Sequence, residues 1–405
     1  SASDPNSLWI IVDNYGKIYL GNQLTAANVE WLQIGNNAPI SLTSGIRMTG
    51  SSSSETINGS AFNDTINGMG GSDTLVGGSG NDTYEYSGIF SSSSSYPYTD
   101  IVTELAGQGS DTIHILSDIP ASSVRVQGGS ASDPNSLWII ADGYGSIYLA
   151  NHLTAANVES LKIGDNTPIS LTGGLNMTGS SSSETINGSA FNDTINGMGG
   201  SDTLIGDLGD DTYEYSGIFS SSSSYPYTDI VTELAGQGSD TIHILSDIPA
   251  SSVRVQGGSA SDPNSLWIIA DGYGSIYLAN HLTAANVESL KIGDNTPISL
   301  TGGLNMTGSS SSETINGSAF NDTINGMGGS DTLIGGLGND TYEYSGVFSS
   351  SSSYPYTDIV TELAGSGSDT IHILTGNNLD DIPASAVRVQ GGSASDPNSL
   401  WIIVD

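Results

Sequence analysis

The sequence predicts an all-β tandem-repeat protein, a rod in which parallel β-helical units alternate with small antiparallel β segments. Two periods and a charge bias predict it. A nine-residue beat runs through residues 59–85, GSAFNDTINGMGGSDTLVGGSGNDTYE. A longer beat brings the opening residues Ser1-Ala2-Ser3-Asp4-Pro5-Asn6-Ser7-Leu8-Trp9-Ile10 back at Ser130, Ser259 and Ser393, after shifts of 129, 129 and 134 residues. Lys and Arg total 7 against 43 Asp and Glu, for a net charge of −36.

Each nine-residue unit is a turn rich in Gly, Asn and Ser, then an acid, then an apolar residue two places on. Asp64, Asp73 and Asp82 are followed in this way by Ile66, Leu75 and Tyr84. A degenerate unit before them keeps Glu55 and Ile57 but replaces the glycines with Ser51 to Ser54. Nine residues suit a six-residue turn plus a three-residue strand, and two units make one coil of a parallel β-helix. Residues eighteen apart then stack, so that Asp64 lies over Asp82 and Glu55 over Asp73.

Stacked coils are about 4.8 Å apart. Two bare carboxylates at that spacing repel by roughly 3 kcal/mol at an effective dielectric near 20, a large fraction of a domain's stability. None of the 7 basic residues falls inside the nonapeptide runs, so a bound cation is the natural counter-charge. Carboxylates and turn carbonyls, with no Cys and no clustered His, favour Ca2+ over zinc or copper.

Residues 77–84, Gly-Gly-Ser-Gly-Asn-Asp-Thr-Tyr, and residues 335–342 match the pattern Gly-Gly-x-Gly-x-Asp-x-apolar. The chain thereby resembles the RTX, or haemolysin-type calcium-binding, family. The resemblance implies calcium-loaded β-rolls with several Ca2+ per repeat unit, each held between successive same-side turns by Asp side chains and turn carbonyls. The acids so implied are Glu55, Asp64, Asp73, Asp82 and Asp111 in the first copy. In the second they are Glu184, Asp193, Asp202, Asp211 and Asp240, and in the third Glu313, Asp322, Asp331, Asp340 and Asp369. The turn carbonyls implied are those of Gly68, Gly70, Gly77, Ser79, Gly197, Gly199, Gly206, Gly326, Gly328, Gly335 and Leu337.

The long period divides the chain into residues 1–129 (β segment 1–48, roll 49–129), 130–258 (130–177, 178–258) and 259–392 (259–306, 307–392). Residues 393–405 read as the start of a further unit, so the chain reads as a window cut from a longer array.

Within a repeat, residues 137–141 and 146–149 flank Asp142-Gly143-Tyr144-Gly145, a hairpin signal. Residues 157–163 read as a strand, and a turn at 164–168 leads into Ile169-Ser170-Leu171. The nonapeptide block 179–214 follows, with Asp207 and Asp210 as further carboxylates. A serine run ending in Tyr225-Pro226-Tyr227 reads as an exposed loop, residues 229–233 as a short strand, and 235–242 as one more nonapeptide. Asp262 stands as an open candidate ligand.

No constellation of nucleophile, base and open metal site emerges, and the reading is of a non-enzyme. His114, His243 and His372 lie on strands as structural residues, while His152 and His281 have Gln23 as their first-copy equivalent. Trp9, Trp138, Trp267 and Trp401 sit in apolar runs and read as core. The acidity argues against nucleic acid and anionic membrane surfaces as partners, and no apolar run has membrane-spanning length.

The functional expectation is an extracellular or bacterial cell-surface structural protein, and the family resemblance implies that it is exported unfolded by type I secretion and folded by Ca2+ outside. It would form a filament, a surface layer (S-layer) or an adhesin stalk through calcium-dependent association with other copies of itself. The alternatives are a glycan-binding adhesin, using residues 91–98 and their copies on surface glycans, and an accessory module of a secreted enzyme.

Overall fold

A computed structural model describes residues 5–12, 15–26, 28–87, 98–104, 107–216, 227–344, 357–362, 365–374, 387–391 and 400–404. The chain forms two compact units, Ser1–Met198 with Leu204–Thr212, and Gly199–Thr203 with Tyr213–Asp405. Among the described residues no helix is long and apolar enough to cross a membrane.

The first unit opens with a hairpin, β1 (Leu8–Val12) and β2 (Gly16–Leu20), and a short pair, β3 (Trp31–Leu32) and β4 (Ile40–Ser41). The roll follows as β5 (Arg47–Thr49), β6 (Thr56–Asn58), β7 (Thr65–Asn67), β8 (Thr74–Val76), β9 (Thr83–Tyr86), β10 (Tyr98–Thr103) and β11 (Thr112–Ile115). Beyond it lie β12 (Val124–Ser130), β13 (Asp133–Ala141), β14 (Gly145–Leu149), β15 (Ser160–Ile163) and β16 (Ile169–Ser170).

The strands β5 to β9 are three or four residues long because a pattern such as Thr-apolar-Asn supplies one inward residue flanked by polar ones. Successive side chains on a strand point to opposite faces, so the middle residue alone enters the core. Alternate strands pair in parallel at the expected shift of eighteen, Thr56 with Thr74 and Thr65 with Thr83. The inward rows are Met48, Ile66, Tyr84, Ile113 and Leu161 on one sheet, and Ile57, Leu75, Val102 and Leu149 on the other. Ile66 and Ile113 are wholly buried.

The antiparallel segments are built onto the roll's own sheets. β14 pairs in parallel with β10, placing Leu149 beside Val102, and only then do β13 and β12 continue antiparallel. On the other sheet β15 extends β11 in parallel, and β16 turns back on it. The second unit repeats this, with strand 274–278 parallel to 227–232 and strand 289–292 parallel to 241–244. The strands that complete the roll of residues 49–129 thus come from beyond residue 129.

The tryptophans are not core residues. On β13 the core side is taken by Leu137, Ile139 and Ala141, so strand alternation turns Trp138 to the outer face. There it packs on Tyr148 at 4.7 Å between ring centroids, as Trp267 does on Tyr277 at 4.8 Å. Trp9 and Trp401 are exposed. The serine loop read at residues 91–98 lies outside the described residues except for Tyr98, the first residue of β10, as do its copies up to Tyr227 and Thr357.

Candidate metal centre

The stacked acids form hydrogen-bonded ladders in which each carboxylate caps the amide of the acid one coil earlier. Asp64 Oδ1 accepts the Ile46 amide at 2.6 Å, Asp82 Oδ1 that of Asp64 at 2.6 Å, and Asp111 Oδ1 that of Asp82 at 2.7 Å. The ladder then leaves the nonapeptides, with Glu159 Oε2 accepting the Asp111 amide at 2.6 Å. On the opposite side Asp73 Oδ1 accepts the Glu55 amide at 2.8 Å and Asp100 Oδ1 that of Asp73 at 3.0 Å. The parallel register aligns the residue before each strand with its counterpart one coil away, so identical positions always meet.

That arrangement commits one oxygen of each of these aspartates and leaves the second to its turn. In the serine-bearing turns the second oxygen is also taken. Asp64, Asp193 and Asp322 each accept a serine amide, from Ser60 at 2.5 Å, Ser189 at 2.5 Å and Ser318 at 2.6 Å. Glu55, Glu184 and Glu313 likewise face the amides and hydroxyls of Ser51, Ser180 and Ser309.

In the glycine-rich turns of the first and third copies the second oxygen has no such partner. Asp73 Oδ2, Asp82 Oδ2, Asp331 Oδ2 and Asp340 Oδ2 are buried without a hydrogen-bond partner. A buried unpaired carboxylate oxygen is costly unless a cation meets it. Burial pushes the Asp73 carboxyl up to about 6 and that of Asp82 to about 7, with the charges of Glu55 and of Asp64 and Asp111 adding to the rise. Burial likewise holds Asp331 and Asp340 at about 6 and Asp100 at about 7.

Glycine leaves the room beside these oxygens that a side chain would fill. A Cβ on Gly77 would strike Glu104 Oε1, Asp82 Oδ2 and the Tyr84 hydroxyl, and one on Gly335 would strike Glu362, Asp340 and Tyr342 in the same way. Gly68 and Gly326 stand equally close to Asp73 and Asp331. The carbonyls of Gly68, Gly77, Gly197, Gly206, Gly326 and Gly335 face the glycine one coil earlier, at Gly50, Gly59, Gly179, Gly188, Gly308 and Gly317. Gly70, Ser79, Gly328 and Leu337 donate their amides to Ser51, Ser60, Ser309 and Ser318 of the preceding turns at 3.0 to 3.2 Å. Gly199 is buried in its turn.

Carboxylate oxygens of Asp82, Glu104 and Asp111 lie within 4.8 Å of one another, as do those of Asp340, Glu362 and Asp369. The second copy carries the same residue types at Asp211, Glu233 and Asp240, all buried. Asp211 caps the Asp193 amide at 2.7 Å, Asp202 donates its amide to Asp229 at 3.0 Å, and Asp240 donates to Glu288 at 2.6 Å. Oxygen donors alone, several of them orphaned and buried, fit a hard divalent cation such as Ca2+.

Asp100, Glu104 and Glu159, with their copies, were not legible from the nonapeptide pattern. Asp100-Ile101-Val102 and Glu159-Ser160-Leu161 keep the acid-x-apolar triplet but have lost the glycines, and the triplet is the signal that finds them. Asp262 accepts the Tyr277 hydroxyl at 2.6 Å, on the hairpin and away from the ladder. His114 hydrogen-bonds the Gly164 carbonyl at 3.0 Å, and His152 spans Asn157 and Leu171 at 2.8 and 3.0 Å. Gln23 ties itself to both backbone groups of Val29 at 2.6 and 2.7 Å, a structural contact like that of its histidine counterpart.

The family described as RTX calcium-binding nonapeptide repeat (4 copies) matches residues 49–84, 178–213 and 307–342. Among solved structures, the extracellular lipase LipA from Serratia marcescens is similar over 56% of this chain at 17% identity and a TM-score of 0.22. The chain covers 38% of that lipase. No curated protein matches the chain. The first and third matched blocks carry the turns whose aspartates hold the orphaned oxygens, and all three blocks are RTX calcium-binding nonapeptide repeats.

Proposed function

We propose that this chain is an extracellular structural protein whose rolls are folded by Ca2+ after export and serve in a cell-surface filament, layer or adhesin stalk. The observation that carries the reading is the buried, unpartnered second oxygen on Asp73, Asp82, Asp331 and Asp340. In the bacterial cytosol, where Ca2+ is scarce, such carboxylates repel and the rolls stay open, a state suited to type I secretion. Millimolar Ca2+ outside supplies the missing charge, and binding free energy becomes folding free energy. Near-identical long units, all acidic, suit a protein in which one surface must recur along an array.

Circular dichroism with chelator tests this directly. The β signal is expected to collapse, to return with Ca2+, and to return poorly with Mg2+, which demands a tight octahedral shell and keeps its waters. Sodium chloride at matched ionic strength is expected not to substitute, because buried pairs are little screened. An unchanged spectrum in chelator would overturn the proposal.

A further inference from the structure

We propose that the nonapeptide runs end in a capping calcium site whose third carboxylate, Glu104 in the first copy and Glu362 in the third, comes from outside the nonapeptides, and that this site fills first. The proposal rests on the calcium reading above and assigns the order in which sites are occupied.

The register shows how the cap arises. Thr103 pairs with Val76, so Glu104 stacks on Gly77, which itself stacks on Gly59. Thr361 pairs with Ile334, so Glu362 stacks on Gly335 in the same way. Where an inner coil offers a glycine carbonyl, the last nonapeptide coil offers a carboxylate. Its Oε1 reaches over Gly77 to within the space a Cβ would occupy, alongside Asp82 Oδ2. That Asp82 oxygen is buried with no hydrogen-bond partner, on a residue that is 0% exposed, and it faces the same space as the glutamate.

A second substitution positions the glutamate. Tyr84 occupies the core position held by Ile66 one coil earlier and Ile113 one coil later. Its longer side chain carries a hydroxyl out of the apolar row, and that hydroxyl donates to Glu104. Tyr342 does the same for Glu362. Three carboxylates then converge where an inner rung places two. Calcium affinity rises with the count of charged ligands, so the capped site is the tightest in its roll. Filling it first pins the last nonapeptide coil, against which the earlier coils stack.

Equilibrium dialysis of the full chain with radioactive calcium, comparing it with the E104Q/E362Q variant, tests the assignment. The glutamine keeps the shape and still accepts the tyrosine hydroxyl. The tightest class of sites is expected to lose two equivalents, with their affinity falling about tenfold or more, while the weaker sites remain. A tight class unchanged in number and affinity would overturn the cap and leave the calcium reading standing. A wild-type chain that binds no calcium would overturn that reading itself. Should the variant fail to fold, terbium luminescence excited through tyrosine decides. The first equivalents of terbium bound by the wild-type chain are expected to emit strongly, and those bound by Y84F/Y342F much less, since phenylalanine does not sensitise at tyrosine's excitation wavelength. Equal emission from the two chains would overturn the proposal.

Discussion

At the scale of single residues, two aspartates one unit apart have opposite roles. Asp64 has both oxygens engaged by backbone amides, from Ile46 and Ser60, whereas Asp73 has one oxygen engaged and one orphaned. Asp64→Asn sets an amide NH2 against a backbone N–H in a buried place, and is expected to cost about 1–3 kcal/mol whether or not calcium is present. Asp73→Asn removes the orphaned charge while its carbonyl still accepts from Glu55. It is expected to stabilise the calcium-free form and to shift the calcium midpoint of folding upward. Calcium titrations of both variants followed by circular dichroism check the contrast, and identical behaviour would contradict it.

Protons compete for the same oxygens. The Asp73, Asp82 and Asp100 carboxyls lie at about 6, 7 and 7, above their ordinary 3.8, chiefly through burial. A raised value means the protonated form favours the fold, so this contribution is full below about pH 4 and is lost as pH rises through about 6 to 7. In chelator, the β signal is expected to be larger near pH 5 than near pH 8, and added calcium is expected to abolish the difference. A flat pH profile in chelator would contradict the burial of these acids.

At the scale of elements, the joint between a hairpin and the roll that follows it rests on close backbone approach. β12 lies against strand 185–187, where a Cβ on Gly128 would collide with the Asn187 carbonyl. Asn187 Nδ2 donates to the Gly129 carbonyl at 2.5 Å, and Arg125 Nη1 to that of Thr178 at 3.0 Å. The second unit repeats these contacts with Gly257, Asn316 and Arg254. Gly128→Ala must therefore displace backbone, and is expected to cost about 1–3 kcal/mol in thermal or urea unfolding with calcium present. Because the joint contains no carboxylate of the ladder, the number of calcium ions bound is expected to stay the same.

At the scale of the whole molecule, charge sets the terms of association. A chain at −36 repels its copies, so the proposed filament or layer would need divalent bridging as well as shape. Electron microscopy in millimolar calcium is expected to show fibres or a lattice that disperse on chelation. Isolated molecules under those conditions would favour a simple stalk.

The ladders through Asp64 and Asp82 on one side and Asp73 on the other, the parallel pairing eighteen residues apart and the calcium chemistry were all legible in the sequence. Each depends on a repeat so short that turn, acid and inward residue lie within nine positions, and strand alternation does the rest. The places of Asp100, Glu104 and Glu159, and the fusion of β14 and β15 to the roll, were decided only by the tertiary structure. These residues reach the ladder across 20 to 50 positions of irregular spacing, after the glycine beat has stopped. Once local periodicity is broken, only sheet register brings a later carboxylate over an earlier turn. For the same reason the tryptophans, apolar by composition, lie outside: which face of a strand is inside depends on the strand that lies beside it.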